Sequence, residues 1–158
     1  MKVARVTLSD RASAGTYEDR SGPEIERVLG EALGGDLHWH RSLIPDDRAA
    51  IERTLIYHCD IDGCELIVTT GGTGPAPRDV TPEATRAVIE RELPGFGEIM
   101  RVQSFAQVPT AILSRALAGT RQQSLIINLP GNPKAIGECL PMLVPAIHEA
   151  LRHLRGES

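Results

Sequence analysis

The chain has 158 residues, of which 41% are hydrophobic and 24% charged, and this predicts one globular domain over residues 1–158 with a substantial core. The formal net charge is −4 and no run of Lys or Arg forms a basic stripe, which argues against a nucleic-acid or anionic-membrane partner. No apolar stretch approaches the roughly 18 residues of a membrane-spanning helix, and Met1-Lys2 leads into strand-like sequence instead of a signal peptide, so we expect a cytoplasmic protein.

The first elements alternate between strand and helix. Lys2 to Leu8 has the composition of a first strand. The polar segment from Ser9 to Gly22 is long for a structural connector, and such loops often bind ligands. It ends in Ser21-Gly22-Pro23-Glu24, whose spacing predicts a capping box at the start of a helix. Gly34-Gly35 is expected to close that helix.

The same alternation continues toward the middle of the chain. Leu37 to Leu43 is predicted as a second strand, and Pro45-Asp46-Asp47 introduces a helix with apolar residues at four-residue spacing. Leu66-Ile67-Val68 is a short β-branched run, typical of a parallel strand buried on both faces. This order predicts a three-layer α/β fold, with a mostly parallel sheet and helices on both faces.

A glycine-rich junction follows that buried strand. Gly71, Gly72, Thr73 and Gly74 stand at its carboxyl end, where ligands of open α/β sheets bind. Glycine reaches positive φ and lets backbone N–H groups turn toward an anion. A glycine cluster alone is as often structural as functional, but Arg78 and Asp79 in the same loop favour binding.

The helix after this junction is expected to have Thr81 as its N-cap and Pro82 as its first residue, and to run to about Glu92. Beyond it we predict elements up to the end of the chain. They are a helix within Gly95 to Gln107, an extended segment from Ala111 to Ala118, a hairpin turn at Gly119-Thr120-Arg121, a core strand from Leu125 to Leu129 beside an antiparallel edge strand, and a last helix from Pro133, kinked or broken near Leu140 by Pro141 and Pro145.

A second junction between a strand and a helix has features similar to those of the first. Pro130 and Gly131 precede Asn132 at the N-cap position, and Lys134 adds a positive charge near the helix start. Standing alone it would be an ordinary capped helix. Two such junctions on adjacent strand ends predict a substrate with several phosphates, such as a nucleotide. The glycines match neither G-x-G-x-x-G nor a Walker motif, which disfavours an NAD enzyme or a P-loop hydrolase.

Two carboxylates are candidates for holding the metal that phosphate chemistry requires. Asp46 and Asp79 each lie in a loop that opens a helix, and Mg²⁺ is held by one or two protein carboxylates together with phosphate oxygens. For Asp46 the alternative is a plain N-cap. For Asp79, two residues before Thr81, capping is a weaker explanation.

The three cysteines are expected to be buried or incidental thiols. Cys59 and Cys64, with His58 beside them, could form half of a zinc site. No second ligand pair stands at a suitable spacing in the sequence, so this alternative is disfavoured.

Several motifs together resemble the molybdopterin adenylyltransferases of molybdenum cofactor biosynthesis, and they cover nearly the whole chain. They are Leu8-Ser9-Asp10-Arg11-Ala12-Ser13-Ala14-Gly15, Ile44-Pro45-Asp46, the loop from Thr70 to Glu83, Pro109-Thr110-Ala111-Ile112-Leu113-Ser114-Arg115, and Asn128-Leu129-Pro130-Gly131-Asn132-Pro133-Lys134.

The resemblance implies the molybdopterin-binding fold and the transfer of AMP from ATP to molybdopterin, with Mg²⁺, in a homotrimer. Asp46 and Asp79 match the family's essential aspartates, and Ser104 matches a serine placed against the pterin. A separate protein would insert molybdenum, and a sister group that binds pterin with weak or no activity is the alternative. The substrate-binding residues implied by the motifs are Ser9, Gly71, Gly72, Thr73, Gly74, Arg78, Ser104, Pro130, Gly131, Asn132 and Lys134.

Overall fold

A computed structural model describes residues 1–157 and contains one six-stranded sheet in the order β2-β1-β3-β6-β5-β4. The strands are β1 (Lys2–Leu8), β2 (His38–Ile44), β3 (Leu66–Thr70), β4 (Arg91–Glu92), β5 (Ala118–Arg121) and β6 (Ser124–Leu129). The helices are α1 (Asp10–Ser13), α2 (Ser21–Leu33), α3 (Arg48–Ile56), α4 (Thr81–Val88), α5 (Pro94–Phe105) and α6 (Pro133–Leu154), with a π-helical turn at Tyr57–Ile61 and a 3₁₀ turn at Pro109–Leu113.

The sheet is mostly parallel, as the alternation of elements predicts. Strands β2, β1, β3 and β6 run parallel, whereas β5 pairs antiparallel with β6 and β4 pairs antiparallel with β5. Every residue of β3 and β6 is buried. Because these central strands are covered on both faces, their apolar runs lack the alternation of a half-exposed strand.

Helices cover both faces of the sheet and form two apolar cores, which confirms the predicted three layers. One core joins the sheet to α2, α5 and α6 and includes Ile25, Met100 and Leu140. The other joins it to α3 and α4 and includes Ile51 and Val88. None of the described helices combines the length and apolar character needed to cross a membrane.

The start of α2 differs from the predicted capping box. Ser21 lies inside the helix, and its hydroxyl donates to the Gly131 carbonyl at 2.7 Å. Asp19 accepts the Gly22 N–H at 2.9 Å instead, while Glu24 pairs with Arg27. The predicted capping box is therefore wrong, because a tertiary contact uses the serine hydroxyl and the upstream Asp19 carboxylate accepts the helix N–H in its place.

The start of α4 also differs. Thr81 is the first helical residue and does not act as the N-cap, and its hydroxyl donates to the Gly71 carbonyl at 2.9 Å. The helix ends at Val88, earlier than predicted, and the chain turns into the short strand β4. The Glu90 N–H then donates to the Thr120 carbonyl at 2.7 Å, so pairing with β5 replaces the last predicted helical turn.

The predicted antiparallel hairpin is present, but its strand and turn residues differ from the prediction. Gly119, Thr120 and Arg121 belong to strand β5, and the turn follows at Gln122, which has a φ of 50°. The segment predicted as extended, 111–118, begins within the 3₁₀ turn Pro109–Leu113. Strand β5 is also not the edge, because β4 pairs with its outer side.

The last helix is a single element from Pro133 to Leu154, so the predicted break near Leu140 is wrong. Pro141 and Pro145 both lie on its exposed side, whereas Leu140 and Leu143 are buried in the core. A proline removes one backbone hydrogen bond. Here the buried stripe against the sheet and α2 keeps the two halves of the helix together.

Candidate active site at the carboxyl edge of the sheet

The two junctions predicted to bind anions meet at the ends of β3 and β6. The Gly71 N–H donates to the Leu129 carbonyl at 3.3 Å, and the Thr70 hydroxyl donates to the Pro130 carbonyl at 2.8 Å. A Cβ added at Gly131 would lie 3.3 Å from the Cα of Gly71. Because β3 and β6 are parallel neighbours, both turns open at the same edge, and together they form one cradle.

The glycines of the first turn are required by its backbone. Gly71 and Gly72 have φ values of 97° and 63°, in the region that side chains disfavour. A Cβ at Gly71 would lie 2.3 Å from the Leu8 carbonyl oxygen. A Cβ at Gly72 would lie 2.4 Å from the Thr81 hydroxyl. The turn therefore packs too closely for any other residue.

The same turn leaves backbone donors unused. Within residues 1–157, no hydrogen bond engages the amides of Gly72, Thr73 or Gly74, although the Thr81 N–H and hydroxyl hold the carbonyls of Gly72 and Gly71 at 3.1 and 2.9 Å. The carbonyls are thus fixed while the amides remain available. Successive free amides of this kind form a concavity for an anion such as phosphate.

Asp46 stands beside this turn and does not cap α3, the helix that follows it. Asp47 is the N-cap of α3, and its side chain accepts the Ala50 N–H at 2.8 Å. Asp46 Oδ2 instead accepts the Asp10 N–H at 3.1 Å, and its Oδ1 lies 2.9 Å from the Cβ position of Gly72. The capping alternative for Asp46 is thereby removed.

Arg78 reaches across the loop to Asp10, the residue that is hydrogen-bonded to Asp46. Its guanidinium donates two hydrogen bonds to the Asp10 carboxylate, at 2.9 and 2.8 Å. Asp10 accepts the Asp46 N–H in turn, at 3.0 Å. The Arg78 side chain is 66% exposed, so it borders the cradle from the solvent side and is held there by Asp10.

Asp79 lies on the other side of the glycine turn. Its Oδ2 accepts the Ala76 N–H at 3.1 Å and lies 2.8 Å from the Cβ position of Gly74. Its backbone carbonyl accepts from the Arg115 guanidinium at 2.7 Å. The residue is therefore fixed to the loop by both its side chain and its main chain.

Arg115 fixes the glycine-rich loop through hydrogen bonds to its carbonyls. Its N–H donates to the Thr73 carbonyl at 2.8 Å and its Nε to the Gly74 carbonyl at 2.9 Å. The guanidinium also pairs with Glu83 on α4. Burial raises the pKa of Glu83, but the hydrogen bond from Arg115, a backbone hydrogen bond and the positive charges of Arg115 and Arg86 together hold that pKa below its usual value. Arg115 thus connects the phosphate loop to the adjacent helix.

The carboxylates at the cradle repel one another. Burial raises the pKa of Asp46, and the negative charges of Asp10 and Asp79 add to the rise. The Arg78 guanidinium lowers the pKa of Asp10 below its usual value. A cation between Asp46 and Asp79 would relieve this repulsion.

The donor set fits Mg²⁺. Among the described residues no hydrogen bond uses Asp46 Oδ1 or Asp79 Oδ1, so each carboxylate has an oxygen to offer. Mg²⁺ takes one or two carboxylates and completes its shell with phosphate oxygens and water. The free amides of Gly72 to Gly74 would hold those phosphates beside it.

A cavity of about 210 Å³ adjoins the cradle on the α1 side. Gly71, Gly131 and Ser21 line its floor, and the Arg11 guanidinium lies over the Tyr17 ring at 4.9 Å from its centroid near the rim. Ser9 also lines it, with its hydroxyl accepting the Ala12 N–H at 3.1 Å to cap α1. This cavity can receive the remainder of a substrate whose phosphate rests on the glycine turn.

Known proteins share this architecture and sequence. The family described as "Probable molybdopterin binding domain" matches residues 4–149. This chain belongs to that family. The molybdopterin adenylyltransferase of Helicobacter pylori strain J99 is 58% identical over 145 residues, covering 92% of this chain and 82% of that protein. The molybdopterin adenylyltransferase of Escherichia coli K12 is 53% identical over 140 residues, covering 89% and 72%.

A solved member of the family superposes over nearly the full chain. The crystal structure of the molybdopterin biosynthesis enzyme MoaB from Thermus thermophilus has a TM-score of 0.89 and 41% identity. It covers 98% of this chain, which covers 96% of that one. The predicted family resemblance and fold are thereby confirmed.

Two predicted substrate residues of this molybdopterin-binding domain make no side-chain hydrogen bond or ion pair with the glycine turn within residues 1–157. Lys134 is at the start of α6, where Asn132 caps the helix by accepting the Lys134 N–H at 2.9 Å. Its ammonium lies 3.8 Å from the Glu138 carboxylate, and its side chain is 82% exposed. Ser104 is half-buried near the end of α5, which packs on β5, α6 and the 3₁₀ turn. Their roles toward substrate stay predictions.

Sequence reasoning missed two residues that the fold places at the site. Asp10 and Arg115 both stand in motifs that carry the family resemblance, but nothing in the spacing of those motifs gives either residue a role. Asp10 contacts Asp46 across 36 residues, and Arg115 contacts the Asp79 carbonyl across 36 residues. The only signal in the sequence was a charged residue inside each motif, since nothing local predicts either partner.

Proposed function

We propose that this chain is a molybdopterin adenylyltransferase, which transfers AMP from ATP to molybdopterin and releases diphosphate. The observation that carries the proposal is the set of unused amides at Gly72 to Gly74 between the free carboxylate oxygens of Asp46 and Asp79. Relatives more than 50% identical over most of the chain carry the same name, which supports molybdenum cofactor biosynthesis as the context.

The reaction needs positioning more than proton transfer. The nucleophile is the terminal phosphate of molybdopterin, a monoester whose second pKa is about 6, so it is largely ionised at neutral pH. Its oxygen attacks the α-phosphorus of ATP, a new phosphorus–oxygen bond forms, and diphosphate leaves with the electron pair of the broken bond. No general base is required. The protein has to align two anions and stabilise the charge that develops.

Each part of the cradle has a role in this alignment. The amides of Gly72, Thr73 and Gly74 bind phosphate oxygens. The adjoining turn at Gly131 is close enough to contact a second phosphate. Asp46 and Asp79 would hold Mg²⁺, which when bound neutralises phosphate charge. The two carboxylates therefore anchor the metal and do not exchange protons.

Arg78 contributes charge at the rim of the site. Both side-chain hydrogen bonds that Arg78 makes within residues 1–157 go to Asp10, so the guanidinium offsets the carboxylate charge while its remaining N–H groups face solvent. It can meet an incoming phosphate without leaving Asp10, because a guanidinium has five donors. We assign Arg78 to guiding phosphate onto the turn.

An exposed apolar surface supports self-association, and the family resemblance implies that the assembly is a homotrimer. It lies on α5 and the 3₁₀ turn that packs beside it, and large apolar areas of this kind mark interaction sites. A soluble cytoplasmic enzyme would cover it with a copy of itself, and a separate protein would insert molybdenum into the product. The exposed residues are Ile99, Val102, Phe105, Val108, Ile112 and Leu113.

The activity is tested by Asp79→Asn. This variant keeps the volume of the side chain and an oxygen able to accept from the Ala76 N–H, so it should fold normally. We expect diphosphate release from ATP and molybdopterin to fall by at least about tenfold, equivalent to 1.4 kcal/mol in the barrier. Normal turnover by Asp79→Asn would refute the assignment.

The alternative is a pterin-binding or delivery module of the same fold. Such a protein would bind molybdopterin without consuming ATP. Wild-type protein that binds pterin but releases no diphosphate at any Mg²⁺ concentration would establish this alternative. The free carboxylate oxygens at Asp46 and Asp79 favour the enzyme, because a binding module has no need of two metal ligands.

A further inference from the structure

A second cluster of chemically active side chains lies at the opposite edge of the sheet. The ligand atoms of His40, His58, Asp62 and Cys64 all lie within 4.8 Å of one another. His40 pairs with Ala4 near the start of β1 and β2, and Cys64 comes just before β3. The cradle follows the carboxyl end of β3, whereas Cys64 precedes its amino end, so the two sites are separated by about the length of that strand.

We propose that His40, His58, Asp62 and Cys64 form a zinc-binding site. Two imidazole nitrogens, one carboxylate oxygen and one thiolate sulfur are the donors that zinc takes in proteins, with tetrahedral geometry. One thiolate and one carboxylate would balance the two charges of Zn²⁺. Magnesium and calcium are disfavoured because they prefer an all-oxygen shell.

The imidazole rings are already oriented toward a common point. His40 Nδ1 lies 2.9 Å and His58 Nδ1 lies 2.8 Å from the same atom, Asp62 Oδ2. Tetrahedral zinc with bonds of about 2.0–2.3 Å needs ligand atoms about 3.3–3.8 Å apart. The ligand atoms of the cluster lie within 4.8 Å of one another, so side-chain movements of about 1 Å would bring them to the spacing that these bond lengths require.

Surrounding contacts support the ligands as they do in known metal sites. Ser42 Oγ lies 2.9 Å from His58 Nε2, so it can accept the proton of that nitrogen and leave Nδ1 free for a metal. Metal-bound histidines are commonly fixed in this way through their other nitrogen. The Cys64 N–H donates to the His58 carbonyl at 2.9 Å, which fixes the cysteine backbone beside the ring.

Three of the four proposed ligands, His58, Asp62 and Cys64, come from one short stretch of the chain. Tyr57–Ile61 forms a π-helical turn, in which the Asp62 N–H donates to the Tyr57 carbonyl at 3.0 Å. Single π turns often occur at functional sites. His58 and Asp62 are four residues apart, which places their side chains on one face of a helical turn, whereas His40 comes from β2 and could not be found from local spacing.

The site is open to solvent, and Arg41 and Arg53 also line the cavity that reaches it. A cavity of about 600 Å³ reaches His40, His58 and Asp62, which gives an ion a route in. Lys2 is held at the Asp62 carbonyl by a 2.7 Å hydrogen bond, and Arg41 is paired with Glu26 at 2.7 Å. His58 and Cys64 are 6% and 1% exposed, so part of the ligand set is shielded from water.

The experiment uses the full chain, freed of metal with a chelator and then titrated with Zn²⁺ against a chromophoric chelator. We expect one Zn²⁺ per chain and a raised melting temperature. His40→Ala and Cys64→Ser should weaken binding at least about 100-fold, and Ser42→Ala about 10–100-fold, the range found for groups that support ligands. His148→Ala and Cys139→Ser are the matched controls and should bind as the wild type does.

Cobalt provides a readout that does not depend on stability. Co²⁺ bound to a thiolate gives a sulfur-to-metal charge-transfer band, so wild-type protein should show it and Cys64→Ser should not. Circular dichroism checks that each variant is folded. Binding of Co²⁺ without this band, or equal Zn²⁺ affinity in wild type and His40→Ala, would overturn the zinc site. Both readouts are independent of AMP transfer, so the proposed activity could fail while this site stands.

Discussion

Asp10 and Asp46 exchange hydrogen bonds between main chain and side chain. The Asp10 N–H donates to Asp46 Oδ2 at 3.1 Å, and the Asp46 N–H donates to Asp10 Oδ1 at 3.0 Å. This reciprocal pair joins the start of α1 to the loop before α3. It directs Asp46 Oδ1 toward the glycine turn, so the position of a proposed metal ligand depends on a residue 36 positions away.

Removing the Asp10 side chain should therefore disturb Asp46 and release Arg78. For Asp10→Ala we expect the rate of diphosphate release to fall about tenfold, or 1.4 kcal/mol in the barrier. Asp10→Asn retains an oxygen for the Asp46 N–H, so it should lose less. The measurement is kcat and KM for ATP in all three proteins. Equal loss in both variants would show that charge, and not the positioning of Asp46, is what Asp10 supplies.

The glycine turn should not tolerate a methyl group at residue 72. In Gly72→Ala the new Cβ would lie 2.4 Å from the Thr81 hydroxyl and 2.9 Å from Asp46 Oδ1, with a φ of 63°. The backbone strain alone costs about 1–2 kcal/mol. We expect lower stability in urea and weak ATP binding by calorimetry.

Gly30→Ala is the matched control for that substitution. Gly30 lies within α2, and a Cβ there would meet no atom within 4 Å. Alanine should stabilise the helix by about 0.5–1 kcal/mol and leave ATP binding unchanged. Unaltered nucleotide binding in Gly72→Ala would contradict the phosphate-binding role of the turn.

Arg115 is predicted to position the loop without touching substrate. Arg115→Ala removes the donors to the carbonyls of Gly74 and Asp79 and leaves Glu83 without its partner. We expect reduced stability and at least a tenfold slower release of diphosphate. Arg115→Lys should recover little of the rate, because one ammonium cannot reproduce a planar fork.

A double variant separates the two roles of Arg115. The double variant Arg115→Ala, Glu83→Gln has no unpaired charge on α4. Part of the free energy of unfolding that Arg115→Ala loses should therefore return. The loop carbonyls still lack their donors, so the rate should stay low. If stability and rate recover together in thermal unfolding and kinetic assays, Arg115 serves only the fold.

The exposed apolar surface on α5 should be needed for assembly. Val102 is 64% exposed on that helix. Ile61 is 69% exposed on the π-helical turn, which is not part of that surface. Val102→Glu should convert the proposed trimer to monomers, because a carboxylate would be buried in the interface. Ile61→Glu should leave the mass unchanged. Light scattering after size-exclusion chromatography measures both, and a monomeric wild type would refute the trimer.

The sequence alone determined the class of the fold and the position of the cradle. Buried strands such as Leu66–Thr70 and Ser124–Leu129 have continuous apolar composition, and helix α6 has an apolar stripe. These signals are local and reflect the period of each element. The glycine turn could also be predicted from a local signal, because its conformation excludes other residues.

Tertiary structure decided which distant groups meet and which hydroxyls are used. Ser21 and Thr81 were predicted as caps, yet each donates to a carbonyl of a cradle turn. The pairing of Asp10 with Asp46, and the grouping of His40 with Cys64, depend on how strands and helices pack across the sheet. Composition and periodicity fix the elements, whereas such contacts follow from strand register and neighbouring loops, which no short stretch of the chain encodes.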